Sequence, residues 1–280
     1  MIISRSPASR LFEVLNVALL AGAALFCLLP FLHMLAVSLS AAPYITAGRV
    51  KLWPMGFHLG HYRWALRNAD LHSAFFWSAA RTVVGTGIGM ILTILAAYPL
   101  SYEKSVFRAH DVIIALFLFA MLFDAGILAK YIVVRKAGLY DTFWALVVPS
   151  VFNPWHVILL MNFFRELPEE LKEAALVEGA RHVDVLTRIY LPLAKPAIAT
   201  LALFTGVTLW NEWFEPVLYL RSPDLYPLQT YLRGIFTGAR GSTNGLQGAL
   251  TIIAILPLIL VYPFIQRHFE RGIVLGAVKQ

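Results

Sequence analysis

What most constrains this 280-residue chain is where its charges are missing. A helix rises 1.5 Å per residue, so about 20 consecutive apolar residues are needed to cross a hydrocarbon core roughly 30 Å thick. From Val14 to Gly48 there is no Asp, Glu, Lys or Arg, and the apolar part, Val14 to Val37, predicts a first span. It begins too far in, and lacks a small-residue cleavage pattern, to read as a removed signal peptide. Five further runs follow: Thr82 to Tyr102, extended backwards by Phe75, Phe76 and Trp77; Val112 to Ala129, interrupted by Asp124; Thr142 to Phe164; Ala197 to Leu220, with Glu212 and Glu215 near its far end; and Gly245 to Gln266. Pro149, Asn153 and Pro154 in the fourth run are tolerated where neighbours satisfy the freed carbonyls. With 59% hydrophobic and 14% charged residues, the chain lies far from the roughly 45–50% and about 25% of soluble domains. The expected fold class is all-α, a polytopic membrane protein of six transmembrane helices.

The same composition excludes other classes. A net charge of +7 comes from basic residues scattered in ones and twos, not from a basic face, so no nucleic acid is expected as a partner. The one cysteine, Cys27, lies inside an apolar run and allows neither an intramolecular disulfide nor a multi-cysteine metal site. The eight histidines have no metal-ligand spacing, and His58 with His61 does not make one. No G-x-x-x-x-G-K-[ST] phosphate loop occurs, and no nucleophile, base and orienting group are brought together. Gly85 and Gly89 have the G-x-x-x-G spacing of close helix packing.

Six spans put both termini on one side, and the count of Lys and Arg favours that side as cytoplasmic by only a small margin. The dense exception to the charge deficit is Arg165 to Pro196, which holds eleven of the chain's 23 basic and 16 acidic side chains. It predicts a small helical unit. Pro168 suits a first helical position, Glu169 and Glu170 suit the positive end of the dipole, and Gly179 suits the end. Leu171, Ala174 and Ala175 form an apolar stripe at helical spacing. A second short helix, Val183 to Ile189, carries Val183, Leu186 and Ile189 on one side before Pro192 stops it. Ala174 and Ala175 would let a partner approach the backbone, and Glu173 offers a carboxylate beside them. The alternative is an amphipathic helix lying on the membrane.

At Glu173-Ala174-Ala175, then Gly179, then Ile189 and Leu191-Pro192, the chain resembles the EAA loop of ATP-binding-cassette importer permeases. Glu178 stands where that family more often has Asp. Tyr62, Ala97-Tyr98-Pro99-Leu100-Ser101, Gly138-Leu139, Thr142-Phe143-Trp144-Ala145, Trp210-Asn211 and the tail Arg271 to Lys279 are similar to the carbohydrate-uptake branch, as its second permease, in the group that includes the alginate-oligosaccharide system. The resemblance implies a type I importer permease: one transmembrane domain over residues 1–280, with 165–196 as a cytoplasmic helix-turn-helix coupling loop and 267–280 as a cytoplasmic tail. It implies a multi-pass protein of the bacterial inner membrane with both termini cytoplasmic. Its partners would be a second permease subunit, two copies of a cytoplasmic ATPase and a sugar-binding protein. ATP and Mg would be bound by the ATPases, with no cofactor in this chain. Glu173, Ala174, Ala175, Glu178, Gly179, Ile189, Leu191 and Pro192 would form the coupling element, and Gly272, Gly276 and Lys279 a further ATPase contact.

Charges inside a membrane face the bundle interior or water. Asp124, Glu212 and Glu215, with Asn211 as a hydrogen-bonding group and Trp210 and Trp213 as stacking faces, are therefore the candidates for a translocation path. Their alternative is structural pairing with Arg81 or Lys130. The competing function is an ion-coupled secondary transporter using Asp124, Glu212 and Glu215 as a relay. The aromatics Trp53, Phe57, His61, Tyr62 and Trp64 suit an interface anchor or a docking loop for the binding protein.

Overall fold

The computed structural model describes residues 7–102, 107–238 and 243–277, with side chains at 9, 11–102, 107–238 and 243–263. Among the described residues there are helices and no strands. In chain order the helices are α1 (Pro7–Ser38), α2 (Ala42–Thr46), α3 (Gly60–Arg67), α4 (Ala69–Leu100), α5 (His110–Leu122), α6 (Gly126–Lys136), α7 (Trp144–Val147), α8 (Pro154–Arg165), α9 (Glu169–Val177), α10 (His182–Val185), α11 (Leu191–Leu193), α12 (Lys195–Asn211), α13 (Phe214–Tyr219), α14 (Leu228–Phe236) and α15 (Asn244–Ala277).

Three stretches, Leu11–Ser38, Ala69–Leu100 and Asn244–Pro263, are long and apolar enough to span alone. Three bent pairs pass the same test together, which gives six spans if each pair is one. The bends are where the sequence breaks its own apolar pattern. The run from Val112 to Ala129 does not continue as one helix: α5 stops at Leu122, and α6 leaves at 117°. Asp124 is the cause, because its Oδ1 accepts from the Gly126 N–H at 3.0 Å and Gly126 takes φ +76°, a left-handed turn. The fourth run bends by 48° between the 3₁₀ turn Val148–Ser150 and α8. There the Asn153 side chain accepts from the Trp155 N–H at 2.9 Å and Pro154 fills the first helical position.

Pro192 does not stop its helix. The turn from Leu186 to Tyr190 is a π-helix in which the Leu191 N–H reaches back to the Leu186 carbonyl, and the widened turn admits the proline into α11. The break comes at Ala194, before α12 departs at 78°. Pro168 likewise sits one residue earlier than expected, as the cap before α9 rather than its first residue.

Contacts divide the chain into two compact units: Met1–Asn68 with Gly234–Leu256, and Ala69–Arg233 with Pro257–Gln280. In the first, Ala36, Val37 and Val50 are the buried apolar centre, and Ser38 Oγ and Tyr62 Oη lie 2.8 Å apart, tying α1 to α3. The rest of α1 displays its apolar side chains outward, Phe12 at 71% and Phe26 at 76% exposure, as a helix facing lipid or another chain does.

In the second unit α4 packs along α8 and α12, and Met90, Ala97, Tyr98, Val157, Leu160, Phe164 and Leu201 are buried together. The close approach depends on small residues of α4. A Cβ on Gly89 would stand 2.9 Å from the Val151 carbonyl oxygen, and one on Gly85 would stand 2.7 Å from Leu209 Cδ1. A side-chain methyl can shift, whereas a backbone carbonyl at a bend cannot do so without moving the bend. Gly89→Ala should therefore lower stability by about 1–3 kcal/mol. Gly87→Ala, with nothing within 4 Å of its Cβ, should be neutral. Thermal unfolding of the two variants in detergent checks the contrast, and equal melting temperatures would contradict the packing described.

Candidate functional site

Both candidate constellations lie in the second unit. The first is a cavity of about 320 Å³ lined by α4, the bend between α7 and α8, and the break between α12 and α13. Its wall is mixed: Met90, Val151, Phe152 and Leu209 supply apolar surface, and Thr93, Ser150, Asn153, His156, Thr205 and Thr208 contribute polar groups, with Arg81, Lys130, Glu212 and Glu215. Arg81 organises it. Its side chain is completely buried, and it is the one basic residue of α4. Its Nε donates to the Leu146 carbonyl at 2.9 Å, Nη1 to the Glu212 carbonyl at 3.4 Å, and Nη2 to Glu215 Oε2 at 3.4 Å. Ser150 Oγ donates to the same carboxylate oxygen at 3.1 Å. One guanidinium thus joins three segments that are far apart in the chain.

The structure separates the sequence-derived path candidates. Glu212 and Glu215 line the cavity; Asp124, Trp210, Asn211 and Trp213 do not. Glu212 turns its Oε1 back to accept from the N–H groups of Phe214 at 2.8 Å and Glu215 at 3.2 Å, capping the start of α13. Asp124 is exposed in the turn after α5, where Lys130 Nζ donates to it at 3.2 Å. Trp210 is buried, edge-on to Phe75 at 5.5 Å, and faces a separate apolar groove of about 670 Å³ with Val83, Gly87 and Val207. Trp213 lies beneath the Arg233 guanidinium, 3.5 Å from its ring centroid. Sequence reasoning passed over Ser150, Asn153, His156 and Thr205 as cavity groups. The available signal was that Asn153 and His156 are polar residues inside a charge-free apolar run.

The second constellation is the charged unit between α8 and α12. Helix α9 ends at a Schellman turn: the Gly179 N–H donates to the Leu176 carbonyl at 3.0 Å and the Ala180 N–H to the Ala175 carbonyl at 2.9 Å, with Gly179 at φ +85°. The apolar stripe is not the one read from spacing. Ala175, Leu176 and Ala180 turn inward against the core, while Leu171 and Ala174 are exposed. In the following turn Val185 and Leu186 are buried and Val183 points out. The reason is that the segment packs against the ends of α4 and α8, which rotates the inward face by one position. Its outer surface therefore presents Glu173, Ala174, Val177 and Glu178, with Val177 at 88% exposure. Ile189 and Leu191 pack against the core and Pro192 is exposed. Gly272 and Gly276 fall within α15, and Lys279 lies outside the described residues.

Three ion pairs lie in this unit, Lys172 with Glu169 and Asp184 with both Arg181 and Arg188. Lys172 Nζ donates to Glu169 Oε1 at 2.9 Å and stands 4.7 Å from the Tyr102 ring centroid. Burial works against the Lys172 charge, but the Glu169 carboxylate outweighs it and holds the pKa above the ordinary lysine value. Arg181 Nε donates to Asp184 at 3.2 Å, and that bond, ahead of the neighbouring cations, keeps the Asp184 pKa low.

A third feature joins two connections. Asp141 adopts φ +60°, its N–H donates to the Tyr219 carbonyl at 2.8 Å, and its carboxylate accepts from the Arg221 N–H, the Ser222 N–H and the Ser222 hydroxyl at 2.8–2.9 Å. The Ser222 bonds, with that of Arg221, hold the Asp141 pKa below the ordinary carboxylate value.

Residues 29–275 match the family described as binding-protein-dependent transport system inner membrane component. The chain is similar to Protein LplC of Bacillus subtilis (strain 168), 36% identical over 98% of this chain and 97% of that protein. It is similar to the polygalacturonan/rhamnogalacturonan transport system permease protein YtcP of the same organism, 35% identical over 97% and 99%. Among solved structures it resembles a chain of a bacterial ABC transporter involved in the import of the acidic polysaccharide alginate, with a TM-score of 0.86 and 30% identity over 94% of this chain and 98% of that one.

Two outcomes follow from the geometry. Glu215→Leu leaves the buried Arg81 without its ionic partner and should cost about 3 kcal/mol, whereas Arg81→Met combined with Glu215→Leu should recover most of that loss. Chemical denaturation of the purified variants measures both. For Asp141, a pKa depressed in the folded state means the clasp is fully present above the unfolded carboxylate pKa and is lost as pH falls through the folded value. Hydrogen exchange at 139–142 and 219–222 should accordingly be flat through neutral pH and accelerate only in acid. Acceleration already near neutrality would mean that the carboxylate bonds do not hold these segments.

Proposed function

The chain belongs to the family of binding-protein-dependent transport system inner membrane components, and from that premise we infer that it is the transmembrane permease subunit of an ATP-binding-cassette importer for carbohydrate. The kinship with a polygalacturonan/rhamnogalacturonan permease and with an alginate importer favours an oligosaccharide as cargo. The chain is a multi-pass membrane protein and contains no ATPase motif, so ATP and Mg belong to partner subunits.

The observation that carries the reading is the unit between α8 and α12. It is a short helix closed by a left-handed glycine, anchored on its inner face and presenting a charged, small-residue outer face. Such a face suits a cleft in another protein. The partner on this reading is a cytoplasmic ATPase, two copies of which would serve this chain and a second permease subunit, with the unit and both termini on the cytoplasmic side. The cavity around Arg81 is the path segment of this subunit, where Asn153, His156, Thr208 and Glu215 meet saccharide hydroxyls. A binding protein delivers the sugar from the opposite side.

The alternative of an ion relay loses support from the partners of its three carboxylates: Asp124 is held by Lys130, Glu215 by Arg81, and Glu212 caps a helix. A proton carrier must instead exchange partners during its cycle.

Ala174→Trp tests the docking surface. Because Ala174 is exposed, the bulky ring is accommodated by solvent in the isolated chain and obstructs only a docked partner. Membrane insertion should be unchanged while ATPase affinity falls about tenfold, equivalent to about 1.4 kcal/mol. Undiminished ATPase binding and saccharide uptake in this variant and in Gly179→Pro would refute the assignment.

A further inference from the structure

On the permease reading, the coupling unit must move the spans, and its attachment to them is resolved in detail. We propose that Tyr98, Tyr102 and His182 form a rivet that fixes this unit to the ends of α4 and α8, so that they move as one body. Tyr98 Oη lies 2.6 Å from Tyr102 Oη, which lies 3.2 Å from His182 Nδ1. This continuous hydrogen-bonded chain runs from the last turn of α4, through the residue just beyond it, to the first residue of α10.

The rings repeat the connection. Tyr98 is edge-on to Tyr102 at 5.2 Å, to Tyr190 at 5.3 Å and to Phe164 at 6.5 Å, and Phe164 is edge-on to Tyr190 at 5.3 Å. Phe164 lies in the last turn of α8 and Tyr190 ends the π-turn, so with the end of α4 and its continuation to Tyr102 three segments meet at one aromatic centre. Both halves of the coupling unit grip the same ring of Tyr102: α10 through the edge-on His182 imidazole at 5.6 Å, and α9 through the Lys172 ammonium at 4.7 Å. A second fastening lies alongside, where Arg165 Nη2 donates to the Leu100 carbonyl at 2.9 Å and touches His110 Nε2 at 2.5 Å.

Packing alone does not require the hydroxyls. Phenylalanine at 98 and 102 would fill nearly the same volume, and a buried hydroxyl is unfavourable unless it is bonded. What the hydroxyls add is direction: a hydrogen bond resists sliding and rotation, whereas apolar rings in contact tolerate both. These are positioning residues. Tyr98 is 8% exposed and Tyr102 7%, buried beneath a unit whose outer face carries the exposed Glu173, Ala174 and Glu178, so they act on coupling and not on ATPase recognition.

The test uses the reconstituted importer, with Tyr98→Phe, Tyr102→Phe and the double variant, all of which keep every ring. ATPase association, basal ATP hydrolysis and saccharide transport are measured on each. The expected result is unchanged ATPase association with the ratio of ATP hydrolysed to saccharide moved raised about fivefold, the weight of one hydrogen bond. Tyr98→Phe removes the bond it shares with Tyr102, and Tyr102→Phe removes that bond together with the one to His182, so Tyr102→Phe should have the larger effect and the double variant should not exceed it. His182→Gln, which retains a partner for the Tyr102 hydroxyl, should keep normal coupling, and His182→Leu should lose it. An unchanged ratio in all the phenylalanine variants, additive effects, or loss of the ATPase from the complex would each overturn the rivet. A wild-type complex that neither binds an ATPase nor imports saccharide would refute the permease reading instead, so the two failures are distinguishable.

Discussion

The arrangement of the second unit depends on a single buried guanidinium. A cation withdrawn from water in a membrane helix is tolerable only if nearly every donor is matched, and Arg81 finds two main-chain carbonyls and one carboxylate on segments that the sequence separates widely. This requirement fixes where α7 must end, because the Leu146 carbonyl has to face α4. It also fixes where α12 must break, because the Glu212 carbonyl can be offered sideways only where the helix stops. The break leaves the α13 amides unsatisfied, and the Glu212 side chain takes them. One charge thereby determines two helix ends, and the cavity is the space those ends leave open.

The charges of that cavity are compensated within the chain. Arg81 is matched by Glu215, Lys130 by Asp124, and Glu212 by helix amides. What is left facing the space is amide, imidazole and hydroxyl, chemistry that reads hydroxyl groups better than it reads net charge. On the proposed reading of the cavity as a path, release of a saccharide gains from this. A deep, unpaired charge would hold an ion of opposite sign, while neutral hydrogen-bonding groups exchange a sugar hydroxyl for water at little cost.

Much of this was legible in the sequence, and the rest was not for identifiable reasons. The charge-free runs predicted spans where the structure has apolar helices, because burial in lipid leaves a strong one-dimensional record. The bends were not visible as bends. Asp124 reads as an interruption of an apolar run, and only the Gly126 turn that it caps sends the chain off at 117°. The charged unit was legible from density and motif, and Gly179 occupies the left-handed position that a C-terminal glycine suggests. Its inward face was mis-set, because spacing cannot say which side of a short helix meets α4: Ala175 and Leu176 were chosen by a neighbour, not by periodicity. Pro192 was read by its usual effect and escaped it through a π-turn, which leaves no local signature. The partners of Arg81 are the clearest limit, since they lie 65, 131 and 134 residues along the chain.

The cavity and the aromatic centre are served by the same two helices. Helix α4 carries both Arg81 and Tyr98, 17 residues or about 25 Å apart along the axis, and α8 carries His156 and Phe164. Glycines between Arg81 and Tyr98 would ordinarily soften such a rod. Here Gly85 and Gly89 are held in close approach to Leu209 and the Val151 carbonyl, while Gly87 between them has nothing within 4 Å of its Cβ position, so packing immobilises two of the three. With α4 gripped on both sides of Gly87, a displacement applied to the aromatic centre would be carried along the helix toward Arg81. Gly85 and Gly89 do two jobs that seem opposed: they let α4 lie close to its neighbours, and by that closeness they lose the freedom a glycine would otherwise give the backbone.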